Sequence, residues 1–238
     1  MSSKNRMAPR SPFPAEPSLR MSSSQLASDY LRRMIFEGRL RPGDKVPQGE
    51  IAAALGVSRI PVREAIAALE REGVLRLEQH RGAFVTALDR FAISDHFALY
   101  GLLYGHAARS CAERASAQDM TAIRAILERI PAGDDFRGML SAATHFRDVI
   151  QHVGGSPRLR ALLASLAGIV PGNFFEIIPG TMPIAREWLP KLVNAIATRD
   201  ADFAAQGCLA MMRAHGEKVL ALLTANGVVP PAGNEPAE

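Results

Sequence analysis

Cysteine is scarce in this sequence, with Cys111 and Cys208 the two examples in 238 residues. Small extracellular domains depend on dense disulfides, so this chain does not belong to that class. Both cysteines lie within apolar patterns of helical period, and we expect free, buried thiols in a reducing cytoplasm. A redox switch between them is the less favoured alternative.

Long hydrophobic runs are also absent. No stretch approaches the roughly 18 or more apolar residues that a membrane-spanning helix needs, so we expect no membrane partner. The first 18 residues contain Lys4, Arg6 and Arg10 but no apolar core, which is not the pattern of a secretory signal. The sequence therefore predicts a cytoplasmic protein.

The sequence contains neither a glycine-rich phosphate-binding loop nor an alternation of strands and helices. Those two features are typical of the nucleotide-binding sheets of many enzymes. Their absence argues against an enzyme of that kind. We expect no catalytic residue and no cofactor.

The chain does contain enough apolar material for two modest domains, because hydrophobic residues make up 47% of its 238 residues. Basic residues number 28 against 24 acidic ones, and the excess lies before residue 88, where 14 Lys and Arg stand against 9 Asp and Glu. A basic N-terminal part favours contact with nucleic-acid phosphates. A solvated basic surface is the alternative explanation.

The segment from Ser58 to Gly73 has the pattern of a short helix with both ends marked. Ser58 is a favourable N-cap, and Gly73 stands where a left-handed C-cap is needed. Arg59 and Arg63 lie one turn apart at the N-terminal end of this helix. Apolar residues recur near period 3.6 along it, at Ile60, Val62, Ala65, Ile66 and Leu69.

A second short helix is predicted just upstream, over Gln48–Leu55, with Gly56 ending it. Two short helices joined by a tight link form a helix-turn-helix, whose second helix enters the DNA major groove with its N-terminal residues leading. The pattern therefore places Ser58, Arg59 and Arg63 on a DNA-binding surface. The alternative is an ordinary capped amphipathic helix with surface arginines.

A β-hairpin is predicted directly after this helix. One strand runs from Val74 to Glu78, a polar turn with a glycine follows, and a second strand spans Ala83 to Val85. A hairpin in this position is the wing of a winged helix. We expect His80, Arg81 and Gly82 at the tip of the wing, close to the minor groove.

The first helix is predicted from about Ser24 to Glu37 and ends at Gly38. Arg32 lies on this helix and is expected beside the DNA backbone, although surface arginines on helices are common. Residues 1–21 are rich in serine, proline and charge, so we expect a disordered tail. The winged helix-turn-helix domain would then span residues 22–88.

The rest of the chain has helical periodicity throughout. About six helices are predicted between residues 92 and 227, followed by a flexible tail over residues 228–238. Ser94 can cap the first of them and Ser116 begins the second, and the others are expected to start at about Asp135, Ser156, Thr181 and Asp200. The expected fold is mostly α: an N-terminal winged helix-turn-helix with a small β-hairpin wing, followed by an all-α helical bundle.

The N-terminal part resembles the winged-helix domain of GntR-type bacterial transcription regulators. The resemblance rests on Pro42-Gly43, on LGVSRIPVREA over residues 55–65, and on RGAFV over residues 81–85. The helical part is similar to the effector-binding FCD domain of the FadR-like subfamily, through Phe146, Gly155-Ser156-Pro157 and Asn194-Ala195-Ile196. This resemblance implies a homodimer that binds double-stranded DNA and a small-molecule effector.

Many FCD domains hold a divalent metal through one Asp and three His, and the resemblance indicates where those ligands would fall. The corresponding positions hold Ala143, Arg147, Leu189 or Trp188, and Met211, with His215 one turn further on. Hydrocarbon side chains and a cation cannot replace such ligands. We therefore expect no metal at this site.

Arg147 lies on an otherwise apolar helical stripe, so its charge needs an anionic partner or contact with water. One interpretation is a salt bridge inside the bundle, or a side chain that reaches solvent. The other is that Arg147 takes over the task of the metal and clamps an acidic effector, with a carboxylate as the candidate. Tyr104, His106 and His215 are further candidates for the effector site.

The sequence thus predicts a ligand-responsive transcription regulator that binds a near-palindromic operator as a dimer, with repression as the expected mode. An enzyme domain that uses pyridoxal phosphate is a weak alternative, because the roughly 150 residues after the wing show no strand–helix alternation. A constitutive DNA-binding protein whose bundle only dimerises is the alternative that the missing metal ligands leave open.

Overall fold

The computed structural model describes residues 21–87, 89–167 and 174–230. Its N-terminal part comprises α1 (Ser23–Phe36), α2 (Gln48–Leu55), α3 (Arg59–Arg71), β1 (Leu75–Glu78) and β2 (Gly82–Val85). Its helical part comprises α4 (Arg90–Arg114), α5 (Ala117–Arg124), a 3₁₀ turn (Leu127–Arg129), α6 (Phe136–Gly154), α7 (Pro157–Leu166), α8 (Phe174–Ile177), α9 (Thr181–Ala197) and α10 (Ala201–Ala225). The predicted fold class is confirmed. Of the predicted tails at residues 1–21 and 228–238, residues 1–20 and 231–238 lie outside the described residues.

The first three helices pack around one apolar core because each of them presents a single buried stripe. Leu31 on α1 and both Val62 and Leu69 on α3 are fully enclosed there. Gly56 has a left-handed backbone, φ 64°, between α2 and α3. A glycine adopts this conformation without steric cost, so the tight link of the helix-turn-helix forms where the sequence predicts it.

The wing is a two-stranded antiparallel hairpin in which Leu75 pairs with Val85 and Glu78 pairs with Gly82. A single bridge between Lys45 and Phe84 adds the segment before α2 to the outer side of β2. His80 at the tip has a positive φ of 62°. This left-handed conformation is uncommon for residues other than glycine, and it closes the short loop between the strands.

Helices α4 and α10 are each 25 residues long and lie against one another along most of the bundle. Glycines allow this close approach: a Cβ atom at Gly105 would come within 2.5 Å of the carbonyl oxygen of Ala205, and one at Gly216 within 2.8 Å of Phe97. The two cysteines, Cys111 and Cys208, are free and buried between these helices, as the sequence predicts.

Three local expectations need correction. Helix α4 begins at Arg90 rather than near Ser94, because the Asp89 carboxylate accepts a hydrogen bond from the backbone N–H of Ala92. Ser58 occupies the N-cap position of α3, but its side chain makes no capping hydrogen bond. The short helix α8 was not predicted, since four residues show no helical periodicity.

The expectation that the flexible tail begins at residue 228 is wrong for its first two residues. The chain turns after α10 at Gly227, which has a φ of 69°. Val228 and Val229 then fold back into the core of the winged helix, where both are buried. Burial of two apolar side chains outweighs the loss of backbone freedom at this end of the chain. The end of α10 and the N-terminal helices therefore share one core.

Candidate functional site

The N-terminal end of α3 presents two exposed cationic side chains, Arg59 and Arg63. Neither forms an ion pair within the described part of the chain. The guanidinium of Arg59 lies over Gly49. Ser58 is exposed at the same end, and its hydroxyl is not used as a cap. These groups can face a nucleic acid without first breaking an internal contact.

The wing carries a second set of basic groups. Arg76 and Arg81 both donate to the Glu78 carboxylate, and their guanidinium groups lie 5.1 and 5.5 Å from the centre of the Phe84 ring. Arg81 is the more exposed of the two, with 71% of its side chain accessible to solvent. The carboxylate and the ring hold the arginines against the hairpin, so the wing is a structured basic surface.

Lys45 is a basic residue of this surface that sequence reasoning missed. It is exposed, it bridges to Phe84, and its side chain passes close to Gly82 at the wing. Lys45 and the wing tip are separated by more than 30 residues, so their proximity depends on a long-range bridge that no local pattern signals.

Arg32 does not lie where the sequence predicted. It is 7% exposed, and its Nη2 atom lies 2.6 Å from Oε2 of Glu72, just after α3. Its Nη1 atom lies 3.6 Å from the Asp29 carboxylate. Position 32 is on the face of α1 that packs against α3, and a charge buried there is stabilised by pairing. The guanidinium ties two helices together instead of facing a phosphate.

A cavity of about 330 Å³ lies inside the helical bundle. Helices α4, α6, α9 and α10 form its walls, and the end of α7 together with α8 lies at one side. Its lining is mainly apolar and aromatic, and includes Phe97, Tyr100, Tyr104, Leu140, Ala143, Leu166, Phe174, Phe175, Leu189, Met211 and Met212. The polar lining residues are His96, Thr144, Arg147 and His215. A mainly apolar cavity of this size with a few polar groups is typical of a small-molecule site.

Arg147 is half exposed at the cavity, with 37% of its side chain accessible. Its charge acts on the Tyr100 hydroxyl and opposes the rise that burial causes in the pKa of that group. Arg147 forms an ion pair with the adjacent Asp148, in which Nε of Arg147 lies 3.7 Å from Oδ1 of Asp148. The Asp148 side chain is mostly exposed to solvent. Among the described residues, no carboxylate of another helix pairs with Arg147. The expected alternative of a salt bridge between helices therefore finds no support.

His215 is the most buried polar group of the cavity, at 4% exposure. Burial lowers the pKa of the imidazole to about 4, although a hydrogen bond to the backbone of Thr181 acts in the opposite direction. The ring is therefore neutral near pH 7. The edges of Phe174 and Phe175 pack on it, with ring centroids 5.1 and 6.2 Å away.

Tyr100 and Tyr104 stack on one another at the α4 wall, with ring centroids 5.9 Å apart. Burial raises the pKa of both hydroxyls, and the nearby Arg147 opposes this only in part. Both groups are thus neutral hydroxyls at physiological pH. They supply polar contacts without adding charge to the cavity.

Comparison with known proteins identifies both halves of the chain. Residues 24–85 match the model of the bacterial regulatory proteins of the gntR family, and residues 95–216 match that of the FCD domain. The protein is a GntR-family regulator with an FCD domain. An HTH-type transcriptional regulator of Mycobacterium tuberculosis is 28% identical over 205 residues, which is 86% of this chain and 84% of that protein.

Other relatives agree with this assignment. The Nta operon transcriptional regulator of Aminobacter aminovorans is 29% identical over 196 residues, covering 80% of this chain and 91% of the relative. The solved structure of McbR/YncC from E. coli superposes with a TM-score of 0.60 at 20% identity, covering 85% of this chain and 98% of that one. This structural likeness shows the shared fold. The relatives are transcription regulators and not enzymes.

The positions that the FCD resemblance reserves for metal ligands do converge on the cavity. Ala143, Arg147, Leu189 and Met211 all line it, and so does His215. This donor set offers one imidazole, two hydrocarbon side chains, a thioether and a cation, which does not suit a divalent metal. Within the described ranges, no three His, Cys, Asp or Glu side chains stand close enough to hold a metal ion. The expected lack of a metal stays a prediction.

His106 is the one candidate effector residue that the structure separates from the others. Tyr104, Arg147 and His215 line the cavity, whereas His106 is exposed and does not. It follows Tyr104 by two residues on α4, and two residues rotate a side chain by about 200° around a helix. His106 therefore faces away from the site.

No helix in the described part of the chain has the length and apolar character of a membrane span.

Proposed function

We propose that this GntR/FCD protein is a homodimeric repressor that binds a near-palindromic operator in the cytoplasm and responds to a small acidic effector. Residues 22–88 would form the DNA-binding domain, and residues 92–227 the effector-binding and dimerisation domain. The observation that carries the proposal is the pair of exposed, unpaired cations on the N-terminal turns of α3 in the described structure, beside a basic wing.

The DNA contacts follow from the geometry of the winged helix. Arg59 and Arg63 enter the major groove and contact base edges or the adjacent phosphates, while Ser58 donates its hydroxyl to a phosphate. His80, Arg81 and Gly82 bring the wing tip to the minor groove. Lys45 lies beside that wing and joins the phosphate contacts, which extends the expected set by one residue. Arg32 contributes to folding and not to this surface.

A dimer presents two copies of α3 with two-fold symmetry, so the operator contains two inverted half-sites. Repression is the simplest mode of regulation, because a dimer bound to promoter DNA prevents other proteins from binding there. The effector site is the cavity, where Arg147 faces an anion and Tyr104 and His215 complete the polar contacts. Arg147 then supplies the positive charge that a bound metal supplies to the effector in other FCD domains.

Helix α10 connects the cavity to the winged helix. Met211, Met212 and His215 line the cavity, and Val219 and Leu223 on the same helix are part of the core that holds α1 and α3. A ligand that shifts or stiffens the first part of α10 therefore changes the placement of the DNA-binding domain. Effector and operator affinities are coupled in this way, and the coupling is reciprocal.

Selection of binding sites from random-sequence duplex DNA with the full-length protein tests the proposal. We expect enrichment of an inverted repeat, with affinity that falls steeply as salt rises because phosphate contacts release counterions. Recovery of no preferred sequence, or of a single half-site bound by a monomer, would overturn the proposal of a dimeric operator-binding repressor.

A further inference from the structure

Ile60 belongs to the apolar pattern of α3, yet the structure leaves its side chain in solvent. Ile60 is 67% exposed, whereas Val62, Ala65, Ile66 and Leu69 of the same pattern are buried in the core of the winged helix. Ile60 therefore does not belong to the buried stripe. Its hydrocarbon side chain contributes little to the fold and is available for another contact.

Helical geometry sets the direction of Ile60 on α3. Each residue turns the helix by about 100°, which puts Ile60 about 170° from the mean direction of the buried side chains. Arg63 then lies about 60° to one side of Ile60, and Glu64 about 40° to the other. Ile60 is also the second residue of the helix, after Arg59 and the N-cap position at Ser58. It thus lies on the turn, and at the centre of the face, that would enter the major groove.

Single exposed apolar side chains are common on protein surfaces, so exposure alone assigns no role to Ile60. Its neighbours Arg59 and Arg63 are exposed cations that form no ion pair within the described part of the chain. An apolar protein surface would have to bury both charges, whereas the phosphates beside a DNA groove neutralise them. Charge complementarity therefore favours DNA as the occupant of this surface.

The base edges in the major groove offer one apolar group to a side chain. Among the four bases, thymine alone presents a methyl group there, and the other positions are hydrogen-bond donors or acceptors. An isoleucine side chain against a G·C edge displaces water from polar groups and returns no hydrogen bond. Against thymine it buries a methyl group in apolar contact. The same side chain therefore favours one base and disfavours the others.

We propose that Ile60 is a specificity-determining residue that selects thymine at one position of each operator half-site, through contact of its side chain with the C5 methyl group. This inference rests on the proposed function and names one base of the operator that the protein binds. The selected thymine lies beside the base or phosphate that Arg63 contacts, because Ile60 and Arg63 are neighbours on the helix surface.

Removal of the methyl group alone tests this contact. The operator is first obtained by selection with the full-length protein. Each thymine is then replaced in turn by deoxyuridine, which pairs with adenine in the same way but lacks the C5 methyl, and both half-sites are changed together. At fixed salt, we expect one thymine position at which wild type loses about fourfold in affinity per half-site, or about sixteenfold in all, which is the effect of one buried methyl group.

Variants of Ile60 assign the effect to this side chain. In Ile60→Ala the loss at the sensitive position should fall to about one, while replacements at other thymines act as they do in wild type. Ile60→Val has one methylene fewer, and its loss should be intermediate. Leu162→Ala removes another exposed aliphatic side chain, 48% exposed on α7, and should keep the full wild-type loss. Because the three side chains are exposed, we expect wild-type melting temperatures in all three variants.

A methylated cytosine gives a second test with a different hydrogen-bonding edge. With a C·G pair at the sensitive position, methylation at C5 of the cytosine supplies the methyl group while the donors and acceptors stay those of cytosine. Wild type should bind the methylated duplex about fourfold more tightly per half-site than the unmethylated one. Ile60→Ala should bind the two duplexes equally.

The inference is wrong if no thymine of the operator is sensitive to loss of its methyl group. It is also wrong if the sensitive thymine remains equally sensitive in Ile60→Ala, which would assign the contact to another residue such as Ala67. A changed oligomeric state of Ile60→Ala by sedimentation, without a change in the methyl effect, would instead place Ile60 in a protein interface. Any of these results with a defined operator removes this inference alone, whereas selection of no preferred sequence removes the proposed function.

Discussion

The side-chain amide of Asn226 donates a hydrogen bond of 2.5 Å to the backbone carbonyl of Phe36, 190 residues earlier in the chain. Asn226 caps the end of α10, and Phe36 is the last residue of α1. Gly38 lies against the Asn226 backbone so closely that a Cβ atom there would sit 2.6 Å from its carbonyl oxygen. The last helix of the FCD domain is therefore fixed to the first helix of the DNA-binding domain.

Substitution of Asn226 tests this link. Asn226→Leu removes the donor and leaves the Phe36 carbonyl unsatisfied, so we expect a loss of about 1 kcal/mol in unfolding free energy. Faster hydrogen exchange in the last turn of α1 should accompany it. Asn194→Leu, at an exposed position of α9, is the matched control. Equal stability of wild type and Asn226→Leu would show that the contact does not fix the two domains.

The buried ion pair between Arg32 and Glu72 indicates that Arg32 stabilises the fold, whereas the sequence placed Arg32 beside the DNA backbone. Arg32→Met leaves the Glu72 carboxylate without its partner in a mostly enclosed site, so unfolding free energy should fall by about 2 kcal/mol. Operator affinity of the folded fraction should stay unchanged. Arg33→Met on the exposed side of α1 controls for loss of charge. If Arg32→Met lost operator affinity but kept its unfolding free energy, Arg32 would belong to the DNA-binding surface.

Sequence patterns predict α3 and the wing correctly because their signals are local. The N-cap position at Ser58, the stripe through Leu69 and the glycines at 56 and 73 are all signals within one helix or one turn. Arg32, His106 and Val228 were misplaced because their environment depends on which helix packs against them. The contact between Phe174 of α8 and His215 could not be predicted from a local pattern either, because the two residues are 41 positions apart.

The buried His215 makes stability depend on pH. Its pKa is about 4 in the folded protein against 6.5 when exposed, so the unfolded chain binds the proton more tightly between these values. The stabilisation is complete above pH 6.5 and is lost as the pH falls toward 4. We expect wild type to lose about 2 kcal/mol more than His215→Leu between pH 7 and pH 5, measured by urea unfolding. Parallel pH profiles of the two proteins would contradict this.

Metal analysis tests the replaced ligand set. Because Ala143, Leu189 and Met211 stand where metal ligands are expected, the purified protein should contain no stoichiometric divalent ion. Chelator treatment should then leave the melting temperature unchanged, since no binding energy is lost. About one zinc, nickel or manganese ion per chain by elemental analysis would show that the cavity residues bind metal in spite of this donor set.

The operator affinity of Arg63→Ala, measured at fixed salt beside Arg71→Ala, tests the central claim most directly. Both arginines are exposed on α3, but Arg63 lies near its N-terminal end and Arg71 is its last residue. The account predicts that Arg63→Ala loses about 1–3 kcal/mol of binding free energy and keeps the wild-type melting temperature, while Arg71→Ala binds nearly as wild type. Equal affinities of the two variants would contradict the assignment of the N-terminal end of α3 as the surface that reads DNA.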